Sequence, residues 1–395
     1  MMDCGLFAYN PLSILKTYTL MKKYFLILLT GLLWACSDSK TINDTPIPIN
    51  EGKDRKVILT NLADNIIMPA YANFKAKFDV MAAKSEAFIV KPDNNSLIEF
   101  RTAWAEAYIE WQKVELFDFG PAEKQTIRNF FNIYPVNEKG IANNIADPNA
   151  NLDIPASYAL QGFPALDYLL NGVGNNDAAI LTYYTTATDA AKRIAYIKRI
   201  VARMNSLLTK VVTEWNSTYR ETFITKTGLD IGSSTSLMIN GLVLHYERFI
   251  RSGKFGIPSG AMLNGVVSPE KVEAFYKKDI SLTLAKTAHQ AYVDFFNGKS
   301  VKTGLEGPSI KTYINALNVK DTATGKLLAE LINIQLEASK AKMEILMPNF
   351  FEGVTMNNQA MKDVYTEMQK TVRMLKVDMT SAMSITITYT DNDGD

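Results

Sequence analysis

Cysteine and histidine are nearly absent from this chain, and their scarcity removes whole classes of chemistry. Of 395 residues, two are cysteine (Cys4 and Cys36) and two are histidine (His245 and His289). A disulfide framework or a cysteine-rich zinc site therefore has nothing to build on. Neither histidine has a second one four residues away, so the two-histidine helical zinc motif is excluded. The nucleophile elbow, the phosphate loop and the dinucleotide-binding glycine pattern are also missing. Charge of one sign is lacking as well. Lys and Arg number 42 against 41 Asp and Glu, which leaves no electrostatic footprint for nucleic acid.

No apolar run reaches the roughly 20 residues needed to span a bilayer. The longest candidate, Tyr24 to Ala35, follows Met21-Lys22-Lys23 and has the charge-then-apolar order of a secretory signal. It ends in Leu33-Trp34-Ala35-Cys36, which resembles a bacterial lipobox with cleavage before a lipidated Cys36. Residues 1–35 are expected to be an upstream extension plus lipoprotein signal peptide, with translation starting at Met21. Membrane association is then expected through the N-terminal lipid, on the outer membrane of a bacterial envelope. Residues 36–52, rich in Ser, Thr, Asn, Asp and Pro, read as a flexible tether.

Helical periodicity dominates the remainder. Ile58, Leu62 and Ile66 recur at four-residue steps; Phe74, Phe78 and Met81 resume the stripe beyond Pro69, which should kink or split the helix. Ser96 and Glu99 have capping-box spacing ahead of Leu97, Phe100, Trp104, Ala107, Trp111 and Val114. Further stripes run from Ile194 to Trp215, from Leu237 to Phe249 with Gly253 as terminator, from Leu327 to Ile345 and from Val364 to Met379. Ser268-Pro269-Glu270 should start a helix that stops at Asn297-Gly298. Only Ser384 to Tyr389 alternates as a strand would. The spacing predicts an all-α protein of two helical bundles, 53–228 and 229–395, with a short C-terminal extended tail.

Three segments together resemble the imelysin family. They are the tryptophan helix from Arg101 through Trp104 and Trp111 to Glu115, the turn Ile133-Tyr134-Pro135-Val136-Asn137, and Gly162-Phe163-Pro164-Ala165-Leu166-Asp167-Tyr168-Leu169-Leu170. The family's corresponding motif is G-x-H-x-x-E, whose His and Glu form its metal-site pair. In this chain those positions carry Pro164 and Asp167. The resemblance implies two helical bundles with a site between them near the motif helix. It also implies a role in envelope iron or metal uptake with transport or surface-acquisition partners, or, by the older family label, peptidase activity. The cofactor stays open between iron and another divalent metal.

Proline supplies neither donor nor acceptor in place of imidazole, so the expected site is Glu115 and Asp167 as metal-binding carboxylates. Trp104, Trp111, Arg101, Tyr134 and Gly162 are the expected ligand cleft. Each acid also has a plain alternative. Asp167 can satisfy a helix dipole, and Glu115 can pair with Arg101 or Arg128. Both tryptophans can be core. His245 and His289 read as packed or surface residues, and Asp391, Asp393 and Asp395 as a solvated tail rather than a calcium loop. Three functions follow: a non-catalytic binding protein working through an inter-domain cleft, a metallopeptidase, and a scaffold for a partner protein or glycan. Loss of the family histidine makes the peptidase the poorest fit.

Overall fold

A computed structural model describes residues 51–390, with side chains from Arg55 onward. The signal segment, Cys36, most of the expected tether and the acidic residues after Thr390 lie outside the described residues. Helices account for nearly all regular structure, and no strand occurs among the described residues. Extended pairing is confined to isolated bridges, Lys299 with Glu306 and Lys320 with Leu327.

The first bundle is built on α1 (Glu51–Leu62), α2 (Met68–Val90), α3 (Asn94–Trp111) and α5 (Ala190–Glu214), with the short motif helix α4 (Gly162–Asp167) packed among them. α1 reaches α2 through a π-helical turn, Ala63–Ile67, so the chain stays helical where Pro69 was expected to break it. Pro69 cannot donate to the carbonyl four residues back, and Asn65 O accepts instead from Val301 N at 2.9 Å. The N-cap of α3 is Asp93, whose side chain accepts from Ser96 N while Ser96 caps in return. Glu99, expected in that box, instead pairs across to Lys84.

The second bundle contains α6 (Ser234–Leu244) with its π-helical continuation His245–Gly256, then α7 (Ser281–Asn297), α8 (Leu328–Met343) and α9 (Asn358–Arg373). Gly253 does not end its helix; the i to i+5 run carries on to Gly256. Ser268-Pro269-Glu270 opens only a 3-10 turn, and α7 begins at Ser281, ending as expected with Gly298 in the left-handed region. The tail from Ser384 to Tyr389 alternates in burial yet joins no sheet. The Asn240 side chain takes the place of a partner strand, donating to Thr386 O at 3.0 Å and accepting from Thr388 N at 2.8 Å.

The two bundles share one buried apolar cluster. The 3-10 turn Glu115–Phe117, which follows α3, packs against α6, the π-helical run and α7. Glu115 therefore stands where the bundles meet.

Candidate functional site

Aromatic packing fixes the motif helix before any polar chemistry begins. Phe163 stacks on Tyr108 with ring centroids 4.6 Å apart and planes 4° from parallel, and Trp104 Nε1 donates to Phe163 O at 3.1 Å. Trp104 and Trp111 are fully enclosed core residues, so their faces carry the helix and do not line a cleft. Arg101 grips the far end of the same segment, donating twice to Leu170 O and pairing with Asp177 at 2.7 Å. Gly162 has φ +81°, and an added Cβ would lie 2.4 Å from Phe131 O. Only glycine fits there.

Asp167 is buried, and both of its oxygens are occupied. Oδ2 accepts from Tyr276 N at 2.9 Å; Oδ1 accepts from Lys277 N at 2.9 Å and Asn171 Nδ2 at 3.0 Å. Asp167 thus caps a loop from the other side of the molecule, not its own helix. That loop is strained, since Ala274 and Lys278 adopt φ of +56° and +67°. Burial pushes the Asp167 carboxyl up to about 7 against the pull of these donors. A raised folded pKa means stability is fully present at acid pH and lost as pH rises from about 4 to about 7, a contribution of roughly 4 kcal/mol. Urea unfolding at pH 5 and pH 8 should show Asp167→Asn with a flatter pH response than wild type. Equal slopes in the two proteins would refute this assignment.

The loop that Asp167 holds delivers Glu273 into a buried polar network that sequence reasoning did not find. Glu273 Oε1 accepts from Tyr108 OH at 3.1 Å, Gln112 Nε2 at 3.0 Å and Asn132 Nδ2 at 2.9 Å. Its other oxygen pairs with Lys254, which also donates to Gln112 Oε1 at 2.8 Å. Asn132 Nδ2 reaches Glu115 Oε1 at 3.0 Å. Glu115 and Asp167 therefore belong to adjoining networks joined through this loop and Asn132, with no partner in common. Neither Arg101 nor Arg128 pairs with Glu115; Arg128 pairs with Asp118 at 3.0 Å and stacks on Phe249.

His245 enters the same region from the π-helical run. Its Nε2 lies 3.6 Å from Glu115 Oε2, beyond hydrogen-bond length, and neither ring nitrogen has a partner. Burial lowers the imidazole below its usual value despite Glu115, so it is neutral at pH 7. Burial also raises Glu115, but His245, Lys254 and Asn132 outweigh that and hold it below the ordinary carboxylate range. His289 has an ordinary packed role, bonding Leu336 O at 3.0 Å and the Tyr246 hydroxyl at 3.3 Å.

Lys254 and Glu273 carried no sequence signal that sets them apart from the charges around them, Arg251, Glu270 and Lys271. Tyr108, Gln112 and Asn132 carried none.

Tyr134, Pro164 and Asp167 line a cavity of about 260 Å³ beside the motif helix, closed from the other side by Phe275 and Tyr276. The residues do not fit a bare transition-metal ion. Both Asp167 oxygens already accept backbone N–H bonds, Pro164 has no side-chain ligand atom, and no group of three or more His, Cys, Asp or Glu is placed to hold a metal among the described residues. Nor do these groups place a nucleophile beside a base open to substrate.

The imelysin family model matches residues 67–377. A curated relative, iron-regulated protein A of Synechococcus elongatus, is 23% identical over 112 residues, covering 28% of this chain and 30% of that protein. Among solved structures, a candidate iron-regulated protein A precursor from Parabacteroides distasonis ATCC 8503 aligns with a TM-score of 0.69 at 17% identity, over 84% of this chain and 95% of its own. An imelysin-like protein from Psychrobacter arcticum 273-4 gives 0.65 at 17% identity, over 86% and 98%. At such identity the likeness to the solved structures is one of fold.

Proposed function

The chain belongs to the imelysin family, and from that premise we propose that it is a lipid-anchored, non-catalytic envelope protein. In this reading it binds a small ligand beside the motif helix, in the service of iron or other nutrient uptake. The observation that carries the reading is the state of the motif itself. Pro164 and Asp167 occupy the family's site positions and line a cavity, yet no cluster of three or more metal-ligating side chains is placed there among the described residues. Metal-assisted hydrolysis needs both an open metal position and a base. The iron connection draws on the names of the relatives, and the anchor draws on the order of lysines, apolar run and Cys36.

A deletion strain tests the whole reading. Growth under iron limitation should fall without the protein and return with the wild-type gene. It should return poorly with Cys36→Ser, which should also take up no labelled fatty acid. A growth defect confined to polysaccharide use would overturn the uptake role in favour of a partner or glycan scaffold. Chelator-sensitive peptide cleavage, abolished by Asp167→Ala, would overturn the non-catalytic one.

A further inference from the structure

The cavity beside the motif helix has one-sided chemistry. Its ionisable lining groups other than tyrosine are Glu138, Asp167 and Glu270, and no lysine, arginine or histidine is among them. Its lining residues include Tyr134, Phe275 and Tyr276. Phe275 and Tyr276 meet at 80° with centroids 4.9 Å apart, which makes a corner of two aromatic rings. The Tyr276 hydroxyl is held by Glu138, which fixes that ring in place. The Tyr134 hydroxyl lies beside Gly253, where an added Cβ would be 3.4 Å from it.

We propose that this notch is a cage for a compact organic cation, an alkylated ammonium group, held by the rings of Tyr134, Phe275 and Tyr276 with Glu138 and Glu270 at its mouth. The proposal rests on the binding-protein reading above and names its ligand class. Aromatic faces carry negative quadrupole potential and attract such cations, most strongly where water is excluded. Glu270 is exposed and makes no hydrogen bond or ion pair among the described residues, so it is available to complement an incoming charge. Asp167 forms the floor with both oxygens already bonded to backbone N–H groups. That arrangement disfavours a bare metal ion, and the carboxylates repel an anion. At about 260 Å³ the space suits a trimethylammonium head with a short tail.

Choline is the probe, with 3,3-dimethylbutan-1-ol as its uncharged isostere and glucose as a neutral sugar, each titrated calorimetrically into the purified full-length chain. Choline should bind about tenfold or more tightly than the isostere. Phe275→Leu should weaken it by about tenfold, and Glu270→Gln by a few-fold, with the Glu270 effect shrinking at high salt. Thermal unfolding of both variants should match wild type; Glu270 is exposed, so its variant keeps the test open if Phe275→Leu is unstable. Equal affinity for choline and its isostere, no choline binding, or an unchanged affinity in both variants would overturn the cage. Glucose binding without choline binding would also overturn it, yet leave the binding-protein reading standing.

Discussion

Glu273→Ala is expected to lower the unfolding free energy by about 3–5 kcal/mol, the range for breaking one side of a buried ion pair. Glu273 and Lys254 are each 1% exposed. Removing the carboxylate leaves the Lys254 ammonium charged in the interior and takes an acceptor from Tyr108, Gln112 and Asn132 together. The cost comes from these stranded groups more than from the attraction itself, which gives the prediction a second arm. Lys254→Met combined with Glu273→Leu should recover much of the loss, because no buried charge remains. Chemical denaturation of Lys254→Met, Glu273→Leu and the double variant forms the cycle. A double variant as unstable as the sum of the singles would mean that the two charges are not coupled, and would overturn this account.

Gly162→Ala should cost about 3 kcal/mol or more, from a left-handed backbone and a steric clash acting together. The neighbour that a Cβ would strike is the main-chain oxygen of Phe131, which cannot rotate aside as a side chain could. Relief requires moving α4, and with it Phe163 and its stack on Tyr108. Gly232→Ala is the control, since its nearest atom would be 3.6 Å away and its φ is ordinary. That change should be close to neutral. Melting temperatures of the two variants decide the matter; equal shifts would mean that Gly162 is not a packing requirement.

The sequence by itself determined the helical class and much of the apolar core, because the 3.6-residue period is a local property repeated over every long segment. Leu62, Phe74, Phe78, Leu97 and Phe100 were all assigned to buried faces from spacing alone, and all are enclosed. Family membership was legible in the same way, from the order of the tryptophan helix, the Tyr134-Pro135 turn and the Gly162 to Asp167 motif. Helix ends were less legible. A π-helical turn absorbs an extra residue without a composition signal, which is why the helix carrying His245 passes Gly253 and ends at Gly256.

Only the tertiary structure decided what the acids do. Asp167 was visible as a candidate, but its partners are amides more than a hundred residues away, on a loop whose strained backbone no local pattern announces. Glu115 was expected near an arginine or a metal; its carboxylate accepts from Asn132, with His245 Nε2 3.6 Å from its other oxygen, each delivered by a different segment. Glu273 and Lys254 lie 19 residues apart in the chain. Their pairing depends on a π-helical run and a strained loop arriving at one buried point. Hydrophobic period is written into each segment, whereas the pairing of buried charges depends on which segments the packed core brings together.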